Sequence, residues 1–222
     1  MNKKIIRLCA LVWGISGMVI LFTVLFPIAA YEANSKQNYP DLVSPLVEEE
    51  VNSKVRLEDF DYTKASNWFP EALPEKKIIS EKISYYTISI PRLGIEDATV
   101  AIGGEDLTKS LIQFPGTAVP GKVGNSVIFG HSILPQFYDP KNYLAIFSTL
   151  GELRQNDEID INYDGINYKY KVETKFEVKP TDIQILEQNS NYPTLSLVTC
   201  TPPGDPRKPK RLVIRAALVP NF

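Results

Sequence analysis

The stretch Thr194-Leu195-Ser196-Leu197-Val198-Thr199-Cys200 decides the fold, because it has the pattern of a buried strand that ends on a cysteine. Side chains alternate between the two faces of a strand. The leucines and Thr199 therefore share one face, whereas Ser196, Val198 and Cys200 share the other. We predict that the leucines fill a core and that the thiol faces outward, beside a loop rich in proline and glycine.

Short β-rich runs continue on both sides of this strand, from Ile83 onward, and turn-forming pairs such as Asp164-Gly165 separate them. The predicted strands are Tyr85–Ile90, Ala98–Ile102, Ser126–His131, Glu158–Tyr163, Tyr168–Val178, Thr194–Cys200 and Arg211–Leu218. Many short strands at such intervals indicate a mainly β fold, namely a closed β-barrel of about eight strands. One or two short helices accompany it, and one of them is expected between Asn142 and Leu153.

An almost unbroken apolar run occupies residues 8–30 and is long enough to cross a bilayer as a helix. Three basic residues precede the run and should remain cytoplasmic: Lys3, Lys4 and Arg7. We predict a cytoplasmic tail at 1–7, a transmembrane signal anchor at 8–30 and an extracellular remainder. A cleaved signal peptide is the alternative, since Ala29-Ala30 offers a small-residue cleavage site.

Residues 31–82 are typical of an extracellular stalk or N-terminal appendage, because they are polar, acidic and proline-containing without a sustained period. Trp68 and Phe69 either dock this segment onto the body or are ordinary, partly buried aromatic residues. Residues 83–222 then form the globular domain.

The charge balance argues against one class of function. The chain carries 24 basic and 26 acidic residues, and the first 30 residues hold three of the basic ones and no acid. The exported part is therefore acidic overall. A general nucleic-acid binder needs a basic face, so we exclude that class.

The only cysteine outside the apolar run is Cys200, since Cys9 lies within it. A disulfide between the two is geometrically implausible. An unpaired exported thiol is either reactive, intermolecular or an inert core residue.

The chain's single histidine, His131, ends the predicted strand Ser126–His131, where Gly130 allows close backbone approach. Taken alone, it is also compatible with a structural role. Arg211 opens the last predicted strand, and Arg207 and Arg215 compete with it for any role. A thiol nucleophile, an imidazole and a permanent cation together suit acyl transfer. One cysteine and one distant histidine lack the ligand count of a zinc site.

These motifs resemble the sortases, which are membrane-anchored cysteine transpeptidases of bacterial surfaces. The resemblance rests on Leu197–Cys200, on Gly130-His131 and on Arg211–Ile214. Ile90–Ile95 and Lys179–Leu186 fit as well. The similarity spans about residues 83–218 and implies a sortase-like β-barrel, with Cys200, His131 and Arg211 as catalytic residues.

The resemblance implies cleavage of a C-terminal LPXTG-like sorting signal between Thr and Gly through a thioacyl-enzyme. The released protein is then joined to an amine, such as a peptidoglycan precursor or a pilin lysine. The partners implied are surface proteins that bear the signal. The positions that match the family's signal-binding groove are Val178, Pro180, Ile183, Ile185, Leu186, Val198, Thr199 and Val213.

Some features depart from well-known sortase subtypes. The sequence shows neither a second membrane span nor an evident lid over the site, although the stalk could hide an unusual lid. The resemblance implies that no cofactor is required, although some members of the sortase family bind calcium. The candidates for calcium are Glu105, Asp106 and Glu187. Two alternatives stay open, namely a hydrolytic cysteine peptidase and a non-catalytic anchored β-domain that binds a surface partner.

Overall fold

The structure of the chain is a computed structural model, and it describes residues 3–39, 61–69, 84–207 and 209–220. The chain divides into a helical unit, Met1–Asn38, and a second unit, Tyr39–Phe222. Much of the predicted stalk, at residues 40–60 and 70–82, lies outside the described residues.

The first unit is one helix, α1 (Lys3–Asn38), which contains the apolar run predicted at 8–30. Its part Cys9–Ser35 is long and apolar enough to cross a membrane. Such a helix suits a membrane anchor or a signal anchor. It is the one helix of this kind in the described part of the chain.

The second unit contains a closed β-barrel, as the sequence predicted. Its strands are β1 (Ser84–Ile90), β2 (Ile95–Ile102), β3 (Leu111–Gln113), β4 (Gly124–Phe129), β5 (Glu158–Tyr163), β6 (Ile166–Val178), β7 (Pro193–Thr201) and β8 (Lys210–Leu218). Their order around the barrel is β1-β2-β3-β4-β7-β8-β6-β5. The pairs β2–β3 and β4–β7 are parallel, whereas the other neighbours are antiparallel.

Local sequence explains several of these elements. Asp164 and Gly165 both have positive φ, which is the conformation that a tight two-residue hairpin between β5 and β6 requires. The three-residue strand β3 was not predicted, because it is too short to show a period. The helix expected between Asn142 and Leu153 is instead a series of turns that ends in a 3-10 helix at Leu150–Glu152.

Strand β7 pairs with β4 on one side and with β8 on the other. Every residue of β7 after Pro193 is buried. Leu195 and Leu197 are completely buried, as their alternation predicted. The opposite face of β7 carries Val198 and Cys200, which belong to an apolar cluster outside the barrel wall. Both faces of this strand are therefore covered.

We expect Leu197→Ala to lower the free energy of unfolding of the full chain in detergent by about 2–5 kcal/mol, because it leaves a cavity in the core. Leu144→Ala is the matched control, since Leu144 is 43% exposed and should change stability little. Urea denaturation of both variants measures the difference. Equal stability of the two variants would contradict the assignment of Leu197 to the core.

Candidate active site

The thiol of Cys200 and the guanidinium of Arg211 belong to one cross-strand pair. Cys200 on β7 lies directly opposite Arg211 on β8 in the antiparallel register. Side chains of such pairs share a face and lie close together. Arg211 is completely buried, and its Nη1 donates to the carbonyl of Lys210 at 3.1 Å. A permanent cation is therefore held beside the thiol.

The structure distinguishes Arg211 from the other two candidate arginines. Arg207 forms a two-pronged ion pair with the buried Asp205, with Nη2–Oδ2 at 2.6 Å. Arg215 lies opposite Ser196, four residues further along β8, and stacks over Phe176. Of the three arginines, Arg211 is therefore the one that lies directly opposite Cys200.

His131 comes two residues after the end of β4, which stops at Phe129 rather than at the histidine. The N–H of Gly130 donates to the carbonyl of Val198 at 3.1 Å, so the chain remains beside β7 at this point. A Cβ on residue 130 would lie 2.5 Å from Phe147 Cδ2. Glycine is therefore required for the close approach that brings His131 to the end of β7.

These three side chains gather at one end of the barrel, where β4 and β7 end and β8 begins. A thiolate is the reactive form of cysteine, and a neighbouring cation stabilises it. An imidazole can supply and remove protons, and a guanidinium can stabilise an oxyanion. The arrangement is therefore suited to nucleophilic acyl transfer through Cys200.

A buried apolar cluster continues from Cys200 along the same face of the barrel wall, at positions predicted to form the signal-binding groove. Four residues predicted to bind a signal belong to this cluster with Cys200: Val178, Ile185, Val198 and Val213. Leu186 packs against the cluster while staying partly exposed. Asn125 fixes the β6–β7 connection to the wall, because its Nδ2 donates to the Ile185 carbonyl at 2.8 Å.

Three other predicted groove residues lie outside this cluster. Pro180 is buried in the β6–β7 connection, whereas Ile183 is exposed there. Thr199 alternates to the face opposite Cys200, and its hydroxyl donates to the Gly130 carbonyl at 2.8 Å. Thr199 therefore contacts the backbone of Gly130, the residue before His131, and is not a member of the apolar cluster.

A segment from the predicted stalk, residues 61–69, packs over the site, and we call it the covering segment. Trp68 and Phe69 are both completely buried. The Trp68 ring stacks on Phe129 at 5.2 Å between centroids and lies 5.9 Å from the His131 ring. The docking of these two aromatic residues onto the body is therefore confirmed.

The covering segment also contacts Arg211 directly. The guanidinium lies over the rings of Tyr62 and Trp68, at 5.2 and 5.4 Å from their centroids. Its Nη2 donates to the backbone carbonyl of Trp68 at 3.3 Å. Cation–π contacts and a carbonyl acceptor partly compensate for the burial of this charge.

As a result, the expectation that the Cys200 thiol is exposed was wrong. The thiol does face away from the barrel core, as alternation predicted, but Cys200 is only 1% exposed because the covering segment lies above it. Periodicity within one strand cannot reveal a distant segment that packs on it. The only signal was the pair Trp68-Phe69 within a polar stretch.

The covering segment is attached mainly through the loop between β2 and β3. The N–H of Ala65 donates to the carbonyl of Glu105 at 3.0 Å, and the N–H of Leu107 donates to the carbonyl of Thr63 at 2.9 Å. Within the segment, Trp68 Nε1 donates to the Tyr62 carbonyl at 2.9 Å. The segment is therefore an ordered element of the site.

A family model for the sortase domain matches residues 88–219, which is more than half of the chain. The chain belongs to the sortase family. A search of curated proteins found no match.

Two solved sortases illustrate the structural similarity. The Clostridium perfringens sortase D5 transpeptidase is 27% identical, with a TM-score of 0.53, over 63% of this chain and 84% of that one. Sortase C-1 from Actinomyces oris is 26% identical, with a TM-score of 0.53, over 61% of this chain and 73% of that one. Both similarities support the assignment of the chain to the sortase family.

A third structure extends over more of the chain. A lid mutant of sortase A from Corynebacterium diphtheriae is 23% identical, with a TM-score of 0.54, over 88% of this chain and 93% of that one. At this identity the similarity supports the fold only.

The three calcium candidates of this sortase each have contacts with other protein groups. Among the described residues, no three His, Cys, Asp or Glu side chains cluster at metal-binding distance. Glu105 accepts the Ser66 N–H at 3.3 Å, and Asp106 pairs with Lys109 at 3.0 Å. Hydrogen bonds from Thr108 and from Lys109 lower the pKa of Asp106 to about 2. The carboxylate of Glu187 accepts a hydrogen bond from the side-chain amide of Asn189. These carboxylates have protein partners, and we derive no catalytic step through calcium.

We expect Trp68→Ala to accelerate alkylation of Cys200 about tenfold or more, because it removes the burial energy of one large aromatic side chain from the covering segment. The measurement is the rate of modification by iodoacetamide, followed by mass spectrometry in the Cys9→Ser chain. Phe137→Ala is the control, since Phe137 is 60% exposed. An unchanged rate in Trp68→Ala would show that the segment does not protect the thiol.

Proposed function

We propose that this sortase is a cysteine transpeptidase that acts on a C-terminal LPXTG-like sorting signal. It cleaves the signal between Thr and Gly and transfers the protein to an amine of the cell wall or of another surface protein. The observation that carries this proposal is the cross-strand pair of Cys200 and Arg211, with His131 at the same end of the barrel.

In the first step, the Cys200 thiolate attacks the carbonyl carbon of the signal's Thr, and a C–S bond forms. The C–N bond to Gly then breaks, and His131 donates a proton to the departing amine. In the second step, the acceptor amine attacks the thioester and gives a proton to His131. A new C–N bond forms, and the thiolate leaves. Protons and bonds balance over the cycle.

Arg211 stabilises the carbonyl oxygen of the signal in this proposal. Its Nη2 already donates to a peptide carbonyl, that of Trp68. A substrate carbonyl of the same chemistry can replace this acceptor when the covering segment moves away. The negative charge that develops on the oxygen strengthens the interaction in the transition state.

The apolar groove receives the Leu-Pro part of the signal. Val198 and Val213 form its floor, and Ile185 and Leu186 lie on the connection beside it. Apolar walls with few polar groups suit such side chains. Pro180 and Ile183 lie earlier in this connection, before Ile185, and contact the signal at its edge in this proposal.

The covering segment has to leave before a signal binds. Trp68 and Phe69 belong to the same cluster as the groove residues, so the segment and the signal need the same surface. The proposed cycle therefore begins with opening of residues 61–69.

The proposed location is the cell membrane. Lys3, Lys4 and Arg7 begin α1 and favour a cytoplasmic N-terminus under the positive-inside rule. The barrel then lies outside the cell, where surface proteins and amine acceptors such as a peptidoglycan precursor or a pilin lysine are available.

The decisive experiment incubates the full chain carrying Trp68→Ala with a peptide that contains the signal and with an excess of a primary amine. We expect an acyl-enzyme at Cys200 and an amide product by mass spectrometry, whereas Cys200→Ala should form neither. Only hydrolysed peptide at high amine concentration would favour a cysteine peptidase. Turnover or surface attachment that persists in Cys200→Ala would instead favour the non-catalytic alternative.

The rate of transfer should pass through a maximum as pH changes. The thiol must be deprotonated for attack, while the imidazole must be protonated when the first amine departs. Measurement of kcat/KM from mildly acidic to alkaline pH tests this expectation. A flat profile would contradict the roles of Cys200 and His131.

A further inference from the structure

Ser132 follows His131 and lies buried beside the end of β7. Its hydroxyl donates to the backbone carbonyl of Cys200 at 2.7 Å. The bond therefore joins the residue after the candidate base to the backbone of the candidate nucleophile. It uses the hydroxyl hydrogen, which leaves no side-chain donor from Ser132 for a substrate.

The position of this hydrogen bond follows from the pairing of β4 with β7. In a parallel pair, alternate N–H groups of one strand donate to alternate carbonyls of the other. The N–H of Gly130 donates to the Val198 carbonyl, so the next acceptor on β7 is the Cys200 carbonyl. The regular donor would be the N–H of residue 132, and the Ser132 hydroxyl takes its place.

Other hydrogen bonds hold His131 at the same point. Thr199 Oγ1 donates to the Gly130 carbonyl, which ties the residue before His131 to the residue before Cys200. On the other side, the N–H of Phe147 donates to the His131 carbonyl at 3.0 Å. The backbone of His131 is thus fixed both to β7 and to the turns after it.

We infer that Ser132 is a positioning residue that sets the separation of the His131 imidazole from the Cys200 sulfur. This inference rests on the proposed function, in which the imidazole serves two amines at the same thioester. Proton transfer requires hydrogen-bond distance, and a misplacement of about 1 Å can cost about a hundredfold in rate. Ser132 acts through His131 and does not touch the signal.

The test measures single-turnover acylation by a signal peptide in the full chain carrying Trp68→Ala, so that opening of the covering segment does not limit the rate. We expect Ser132→Ala to lower the acylation rate constant about tenfold. The amplitude of acyl-enzyme should stay unchanged, because a loss of folded protein lowers the amplitude and not the rate constant. Ser132→Thr keeps the hydroxyl and should restore most of the rate.

Ser126→Ala is the matched control. Ser126 is a buried serine on β4 whose hydroxyl also donates to a backbone carbonyl, that of Ala118 at 2.6 Å. Ser126→Ala loses a hydrogen bond of the same kind at a position away from His131. The acylation rate constant of this variant should therefore equal that of the parent chain. If Ser132→Ala fails to fold, Ser132→Cys takes its place, since a thiol of similar size is a weak donor.

Three results would overturn the inference: an unchanged rate constant in Ser132→Ala, an equal loss in Ser126→Ala, or no recovery in Ser132→Thr. Failure of the proposed function is a different result, because the parent chain would then form no acyl-enzyme or would give only hydrolysed peptide in excess amine.

Discussion

The parallel pairing of β4 with β7 is the constraint on which the site depends. These strands are distant in the sequence, and their pairing brings His131 and Cys200 to the same end of the barrel. The antiparallel pairing of β7 with β8 then places Arg211 opposite the thiol. Strand β7 therefore carries the candidate nucleophile and also aligns both of its candidate partners. Any shift of register by one residue would turn Cys200 to the opposite face of the wall.

The buried charge of Arg211 explains why the covering segment is ordered. A guanidinium that is buried away from water needs hydrogen-bond acceptors or aromatic faces as neighbours. The barrel provides the Lys210 carbonyl, and the covering segment provides the Trp68 carbonyl and the rings of Tyr62 and Trp68. The segment thus compensates for burial of the same cation that the proposed reaction uses. Protection of the site and the proposed catalysis therefore depend on one side chain.

Much of the barrel was predictable because its strands have a clear period and distinct turns. Asp164-Gly165 marks a hairpin by local conformation alone, and Leu195 and Leu197 mark a core face by alternation. The cover over Cys200 was not predictable in the same way. It depends on contacts between Trp68 and Phe129, which lie far apart in the sequence. The spacing of residues alone did not distinguish Arg211 from Arg215; the family resemblance indicated Arg211, and the register of β8 shows that it lies opposite Cys200.

In the proposed reaction, the covering segment also restricts which peptides are able to replace it. Its departure uncovers the apolar floor at Val198 and Val213 and removes the Trp68 carbonyl from Arg211. A peptide with apolar side chains but no carbonyl at the right place would leave the cation poorly compensated. A polar peptide with a suitable carbonyl would leave the floor exposed to water. Each of these losses costs free energy. In the proposed reaction, only a ligand that meets both requirements together displaces the segment, so the cover contributes to selection of the signal.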